Sequence, residues 1–237
     1  MKYLEELAKK ASMSHDDKFN FRCLACGQCC TGRDYIMMSA YDLYRAAKYL
    51  HCEPNEFLTK YCEVVVGSQS KFPVLLLRMR GRHNTCPFLK DNRCSIHEAK
   101  PSVCRIFPLA RVAAIDKNDG SANVRYIVQD IHCGSTDASV SVREWIGAND
   151  IEEDEMIYAK WSEMVGKLSE LLMKLFEHVQ NFHLPENAFE AAFAPVAGVM
   201  YCHYDLQQEF LPQLEKNGND LLEVLTSYLK ELGVEHE

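Results

Sequence analysis

The residues with the clearest chemistry in this chain are its cysteines. The run Phe21-Arg22-Cys23-Leu24-Ala25-Cys26-Gly27-Gln28-Cys29-Cys30 has C-x2-C-x2-C-C spacing. Gaps of two residues let consecutive thiolates converge on one metal centre, as in zinc knuckles and ferredoxin loops, and Gly27 lets the backbone turn tightly around it. The adjacent pair Cys29-Cys30 adds a constraint. Successive side chains on extended backbone point to opposite sides, so both thiolates serve one ion only if the chain folds sharply, and an arrangement with two centres or a polynuclear one relieves this.

A second segment follows with Cys86-Pro87, Cys94, and Cys104 with Pro108 four residues on; its prolines stiffen the loop. Cys133-Gly134 comes after a predicted hairpin and brings the count to eight thiols: Cys23, Cys26, Cys29, Cys30, Cys86, Cys94, Cys104 and Cys133. Eight suits two four-thiolate sites. Three cysteines fall outside the set. Cys52 and Cys62 bracket a predicted helix and Cys202 sits in an apolar run, positions suited to small buried hydrophobes or surface thiols. His97 and His132 lie next to ligand positions and are read as donors to the ligands or as core residues. Arg105, directly after Cys104, could donate to sulfur or to a substrate carboxylate, or form a surface salt bridge.

Iron–sulfur and zinc are separated by spacing. C-x2-C-x2-C with a remote, proline-followed cysteine resembles the ligand pattern of [4Fe–4S] ferredoxins, which makes an iron–sulfur cluster, with two metal centres in view, the preferred cofactor. Zinc favours pairs of C-x2-C elements with histidines at set intervals; it is the alternative. Thiolate clusters are anionic. From Lys71 to Arg111 nine basic residues face two acidic ones, a local net of +7 in a chain of net charge -8, and that segment compensates such a cluster. The acidic whole argues against nucleic acid as a partner.

Familiar catalytic signatures fail. His97-Glu98 is followed by Pro101 where a zinc protease helix needs its second histidine. Gly27 to Gly32 has P-loop spacing, but Arg33-Asp34 replaces the Lys-Ser/Thr pair. A C-x3-C-x2-C run fails because Arg33 stands where the third cysteine belongs. The residues alone leave open whether the protein is an enzyme.

The ordered double motif resembles the CxxCxxCC cysteine-cluster family, also called the YkgJ family, of zinc- or iron-chelating proteins. The resemblance rests on Cys23, Cys26, Gly27, Cys29 and Cys30, then Cys86 with Phe88 and Leu89, Cys94 with Ile96 and His97, Pro101, and Cys104-Arg105 with Phe107-Pro108. It covers roughly residues 20 to 135. Lys100 stands where the family often has arginine. The resemblance implies metal chelation and, through a larger relative that methylates flagellin lysines, an iron–sulfur cluster. Three functions therefore stay open: an iron–sulfur protein for redox or sensing, a zinc-built interaction module, and a cluster-dependent enzyme acting on a protein side chain. A protein substrate or a redox partner is the expected partner.

The elements that must position these thiols are legible in part. A short amphipathic helix is expected at residues 2–12. Ser39 and Asp42 form a capping-box start for a helix to about Leu50, and Pro54 permits another near Asn55 to Tyr61. Val74 to Met79 reads as a buried strand and residues 86–104 as irregular. Leu109 to Ile115 and Val124 to Ile131 flank a polar turn, a hairpin signature. Ile157, Trp161, Met164, Leu168, Leu171, Leu172, Leu175 and Val179 recur at helical steps. Val199 to Tyr204 reads as a strand and Leu221 to Leu232 as a helix ended by Gly233. The fold class is thus α+β and predominantly helical, with an irregular cysteine-rich core and a small antiparallel sheet. The expected division is a metal-binding domain at 1–140 and a helical cover at 141–237. No window approaches the run of about eighteen apolar residues that spans a membrane, and the N-terminus lacks a signal-peptide core. Eleven cysteines without an export signal point to a reducing, cytoplasmic setting and to metal rather than disulfides.

Overall fold

A computed structural model describes residues 12–33, 35–115, 122–129, 133–148, 154–182 and 187–234. The strands in chain order are β1 (Lys18–Arg22), β2 (Ile36–Met38), β3 (Cys62–Val66), β4 (Pro73–Leu77), β5 (Leu89–Lys90), β6 (Arg93–Cys94), β7 (Leu109–Ile115), β8 (Ala122–Val128) and β9 (Ser135–Ser141). The helices are α1 (Ala40–Tyr49), α2 (Pro54–Tyr61), α3 (Ser102–Arg105), α4 (Val142–Ala148), α5 (Glu155–Asn181), α6 (Asn187–Cys202) and α7 (Phe210–Glu231). The protein is α+β, and its chain forms two compact units: Met1–Met38 with Leu77–Lys160, and Ser39–Leu76 with Trp161–Glu237.

The first unit is built on aromatic side chains. β1 alternates, burying Phe19 and Phe21 while Lys18, Asn20 and Arg22 face out, the period-two pattern of a half-buried strand. It pairs antiparallel with β9 from Lys18↔Ser141 to Arg22↔Ser135, with an irregularity between Asn20 and Arg22. β7 and β8 form the expected hairpin, in register from Leu109↔Val128 to Ile115↔Ala122; its polar turn lies outside the described residues. Phe19, Phe21, Ile106, Leu109, Tyr126, Val142 and Ile146 make the core, with Phe107 and Trp145 packed against it. The Trp145 ring meets Phe19 and Phe21 edge-on at 6.2 and 5.4 Å, a favoured aromatic geometry. Its indole N–H donates to the Ile106 carbonyl at 3.0 Å.

In the second unit the Ser39–Asp42 capping box is present: Ser39 Oγ accepts from the Asp42 backbone N–H at 3.1 Å, and Asp42 Oδ2 accepts from the Ser39 N–H at 2.9 Å. Pro54 opens α2, where its missing N–H costs nothing. β3 and β4 pair in one sheet. From Trp161 onward α5 buries the predicted stripe, with Leu168, Leu172 and Leu175 wholly enclosed. α7 approaches α5 closely at Gly218, where a Cβ would lie 2.4 Å from Met164 Sδ. Tyr201 donates to the Pro73 carbonyl at 2.9 Å, and Asn217 Nδ2 to the His203 carbonyl at 2.7 Å.

Three expectations change. Val199 to Tyr204 is not a strand: residues up to Cys202 form the last turn of α6, and a short apolar run cannot by itself distinguish a buried helix from a strand. The C-terminal helix starts at Phe210, well before Leu221. The 86–104 segment is not wholly irregular, since β5 and β6 form a two-residue hairpin around Asp91 and Asn92, at φ 50° and 60°. All but the last residue of the helix expected at residues 2–12 lie outside the described residues. Among the described residues no helix is long and apolar enough to cross a membrane.

Candidate metal centre

All eight cysteines singled out by spacing lie in the first unit, and Cys52, Cys62 and Cys202 lie in the second. All eleven are free thiols. The first cluster begins where β1 ends. Cys23 leaves the sheet, and its Sγ accepts the backbone N–H of Ala25 at 3.4 Å. Ala25 and Gly27 both take left-handed backbone, at φ 51° and 73°, turning the chain into a single 3-10 turn, Gln28–Cys30. A Cβ at Gly27 would sit 3.1 Å from the Asn92 carbonyl oxygen and 3.3 Å from a Leu89 methyl. Glycine is what lets the first cysteine loop lie on the β5–β6 hairpin.

Backbone hydrogen bonds join the two cysteine segments. Cys86 N–H donates to the Cys30 carbonyl at 2.8 Å, and Gly32 N–H to the His83 carbonyl at 2.9 Å. Arg80 Nη2 donates to the Cys86 carbonyl at 3.2 Å. Cys94 rides on β6. Cys104 lies in the short helix α3, its N–H donating to the Pro101 carbonyl at 2.8 Å. Cys133 is placed by the other sheet: the β1–β9 register ends at Arg22↔Ser135, which sets Cys133 beside the start of the Cys23 loop. Gly134 makes this possible. Its φ is 75°, and a Cβ there would lie 2.5 Å from the Phe21 ring and 2.7 Å from the Arg22 carbonyl oxygen.

The thiols shift one another's acidity. The Sγ atoms of Cys29 and Cys30 are 4.0 Å apart. Contact with Cys30, then burial, holds the Cys29 thiol far above its ordinary range, against a smaller opposing pull from Arg33 and Lys100. At Cys30 the contact with Cys29 lowers the value, but contact with Cys86, burial, and the nearby Cys86 and Cys94 outweigh it, and the thiol is pushed up to about 11. Cys86 is drawn down by its contact with Cys30, and Cys94 is raised by burial. Burial and the neighbouring Cys29, Cys26 and Cys23 push Cys133 up to about 11. A soft metal cation would replace these thiol protons. Among the described residues no three Cys, His, Asp or Glu side chains are already drawn together as a finished ligand set. Backbone hydrogen bonds and the β1–β9 register gather the thiols into one unit. Eight soft sulfur donors in one unit, two of them exposed on a loop, fit zinc or iron–sulfur chemistry and not a hard oxygen-seeking cation.

Other residues fall differently from their sequence reading. Arg105 is buried and paired with the buried Asp154, so it is neither a surface salt bridge nor an exposed donor. Its partner lies 49 positions away, beyond any local pattern. His97 is exposed, and His132 lies outside the described residues. Sequence reading missed Arg33. Its Nε donates to the Cys29 carbonyl at 2.9 Å, and its guanidinium lies 4.7 Å above the Phe107 ring. Gln28, Cys29, Arg33, Phe107, Gln129 and Cys133 line a cleft of about 360 Å³. The cation at position 33 was visible only as a break in two motifs.

No solved structure matches the chain. The family model for the CxxCxxCC domain, whose description reads "Putative zinc- or iron-chelating domain", matches residues 22–133, from just before Cys23 to Cys133. That stretch, a little under half of the chain, contains all eight thiols of the first unit and is what the chain shares with the CxxCxxCC domain.

Proposed function

We propose that the first unit is an iron–sulfur protein domain, holding its metal through Cys23, Cys26, Cys29, Cys30, Cys86, Cys94, Cys104 and Cys133 for electron transfer or redox sensing with a protein partner. The observation that carries this reading is the gathering of these eight thiols into one unit while the other three sit elsewhere. Support for iron–sulfur over mononuclear zinc comes from the C-x2-C-x2-C spacing of Cys23, Cys26 and Cys29 followed by the remote Cys86-Pro87, which resembles the ferredoxin ligand pattern. An iron–sulfur cluster supplies one-electron chemistry at a potential set by its charge and hydrogen bonds. The chain's own residues contribute to those terms: Arg33, whose Nε donates to the Cys29 carbonyl at 2.9 Å, and Lys100 place positive charge near Cys29, which would offset the negative charge of a thiolate cluster. The exposed Cys23 and Cys26 leave an approach for a partner. Free thiols throughout and the cysteine count suit a reducing compartment such as the cytoplasm.

Anaerobic reconstitution followed by iron, acid-labile sulfide and zinc analysis tests the proposal. Iron and sulfide in near-equal amounts, with a brown chromophore bleached by dithionite, is the expected result. Zinc alone, silent to reductant, would replace it with a metal-built interaction module.

A further inference from the structure

We infer that the cleft walled by Arg33, Phe107, Gln129, Cys29 and Cys133 binds a small carboxylate, held end-on by the Arg33 guanidinium beside the metal that Cys29 and Cys133 help to hold. This rests on the metal-binding reading above and adds to it the ligand that meets the metal centre from outside.

Arg33 is fixed before any ligand arrives. Its Nε donates to the Cys29 carbonyl at 2.9 Å, and its guanidinium lies 4.7 Å from the centroid of the Phe107 ring, within cation–π range. Phe107 is itself met edge-on by Phe21 at 6.2 Å. With Nε committed to the cysteine loop, the two Nη groups are the remaining edge of the fork, and two parallel N–H donors match the two oxygens of a carboxylate. Other arginines of the first unit already have acids: Arg22 pairs with Asp137, Arg105 with Asp154 and Arg143 with Asp16. Among the described residues no carboxylate forms an ion pair with Arg33.

The space in front of this cation is of ligand size. The cleft holds about 360 Å³, at the lower end of the range for small-molecule sites, and a Cβ placed at Gly32 on its wall would meet nothing within 4 Å. The rest of the polar wall is neutral, from Gln28, Thr31 and Gln129. Gln129 is held in place, its Nε2 donating to the Leu109 carbonyl at 3.1 Å, and its amide oxygen can accept from a hydroxyl or ammonium group on the acid. One cation among neutral groups suits a carboxylate better than a phosphate dianion, which a single guanidinium does not neutralise and which ionised Cys29 and Cys133 would repel. A metal on those two thiols offsets the repulsion, so that the metal centre and the cleft favour each other's occupancy.

Titration calorimetry of the reconstituted full chain with malate, and separately with a capped peptide of three glutamates, tests this; the two probes tell a free acid from the acidic side chain of a partner protein. Saturable binding is expected, tighter to the loaded than to the stripped chain, and the tighter of the two probes names the source. Arg33→Gln weakens it about 10- to 100-fold with metal content unchanged. Arg33→Lys, which keeps the charge and loses the fork, recovers only part of it. Arg82→Gln removes an exposed cation outside the cleft and leaves binding at the wild-type level. Should Arg33→Gln lose metal or misfold, Thr31→Trp, which fills the cleft from an exposed position on its wall, decides by abolishing binding. Wild-type affinity in Arg33→Gln or Thr31→Trp, an equal loss in Arg82→Gln, or phosphate bound as tightly as malate would overturn the inference. So would the absence of binding to a chain shown by analysis to hold its metal. A wild-type chain that takes up neither zinc nor iron would overturn the metal-binding reading itself, and the coupling with it.

Discussion

The two units solve the problem of cohesion with different materials. The second is held by long apolar helix faces, with Leu168, Leu172, Val196, Leu214 and Leu229 almost wholly enclosed. The first has a compact aromatic core under β1, β7 and β9, but between residues 78 and 100 it buries few apolar side chains beyond Phe88, Ile96 and Ala99. That stretch is nonetheless pinned to the first cysteine loop by hydrogen bonds and by the Gly27 contact. Where apolar area is scarce, a metal can supply cohesion that a core does not.

Stripping the metal gives the largest contrast. Structural thiolate sites contribute on the order of 10 kcal/mol, so the chelated protein is expected to lose protease resistance between residues 23 and 104. The helical circular dichroism of α5, α6 and α7 should persist. Proteolysis mapped by mass spectrometry reads the first, and the far-ultraviolet signal the second. Uniform loss of both would dissolve the contrast.

Leu172→Ala makes the reverse cut. Truncating a fully enclosed leucine costs about 2–5 kcal/mol, which denaturant unfolding should register, while iron or zinc content per folded chain stays at the wild-type level. Gly134→Ala is a smaller blow to the first unit. A left-handed residue with a Cβ costs about 1–3 kcal/mol, and here the new atom also meets Phe21 and Arg22, so metal content is expected to fall with stability. Gly166→Ala, at a helical glycine with open space around it, is the control that should do neither.

Acidity provides a gentler probe. Cys29, Cys30, Cys94 and Cys133 are raised above the ordinary thiol value of 9.0, whereas Cys86 alone is lowered. In the metal-free chain a raised thiol binds its proton more tightly folded than unfolded. Its contribution to stability is complete below pH 9 and is lost as the pH climbs toward 11. Metal reverses the sign, because protons compete for the same sulfurs and affinity weakens as pH falls. Melting temperatures of the stripped and loaded protein between pH 6 and pH 11 should therefore diverge steadily. Parallel curves would mean that the thiols are not the ligands.

The sequence made some of this legible and hid the rest for physical reasons. Spacing alone separated eight cysteines from three, and the capping box at Ser39, the hairpin of β7 and β8 and the stripe on α5 were each written in local periodicity. The Asp91-Asn92 turn was readable in principle, since such residues tolerate the positive φ that a two-residue hairpin needs, but the two-residue strands around it were too short for an alternating pattern. The run Val199 to Tyr204 misled because its apolar residues sit at the end of a helix with Pro195 inside it. The Arg105–Asp154 pair and the Arg33–Phe107 contact join positions far apart along the chain, and no local pattern announces such partners. The approach of Cys133 to the first cysteine loop and of Cys86 to Cys30 depends on the β1–β9 register and a backbone hydrogen bond, both of them tertiary.

Metal analysis of two variants tests the division of labour between the units most directly. In one, Cys52, Cys62 and Cys202 of the second unit are all replaced by alanine; in the other, only Cys104 is changed. The triple variant is expected to keep the full metal content, losing on the order of 1 kcal/mol of packing at the buried Cys62 and less at the half-buried Cys52 and Cys202, while Cys104→Ala falls sharply because three thiolates rarely hold a closed four-coordinate site. Full metal retention in Cys104→Ala together with loss in the triple variant would place the metal in the wrong unit and contradict the assignment.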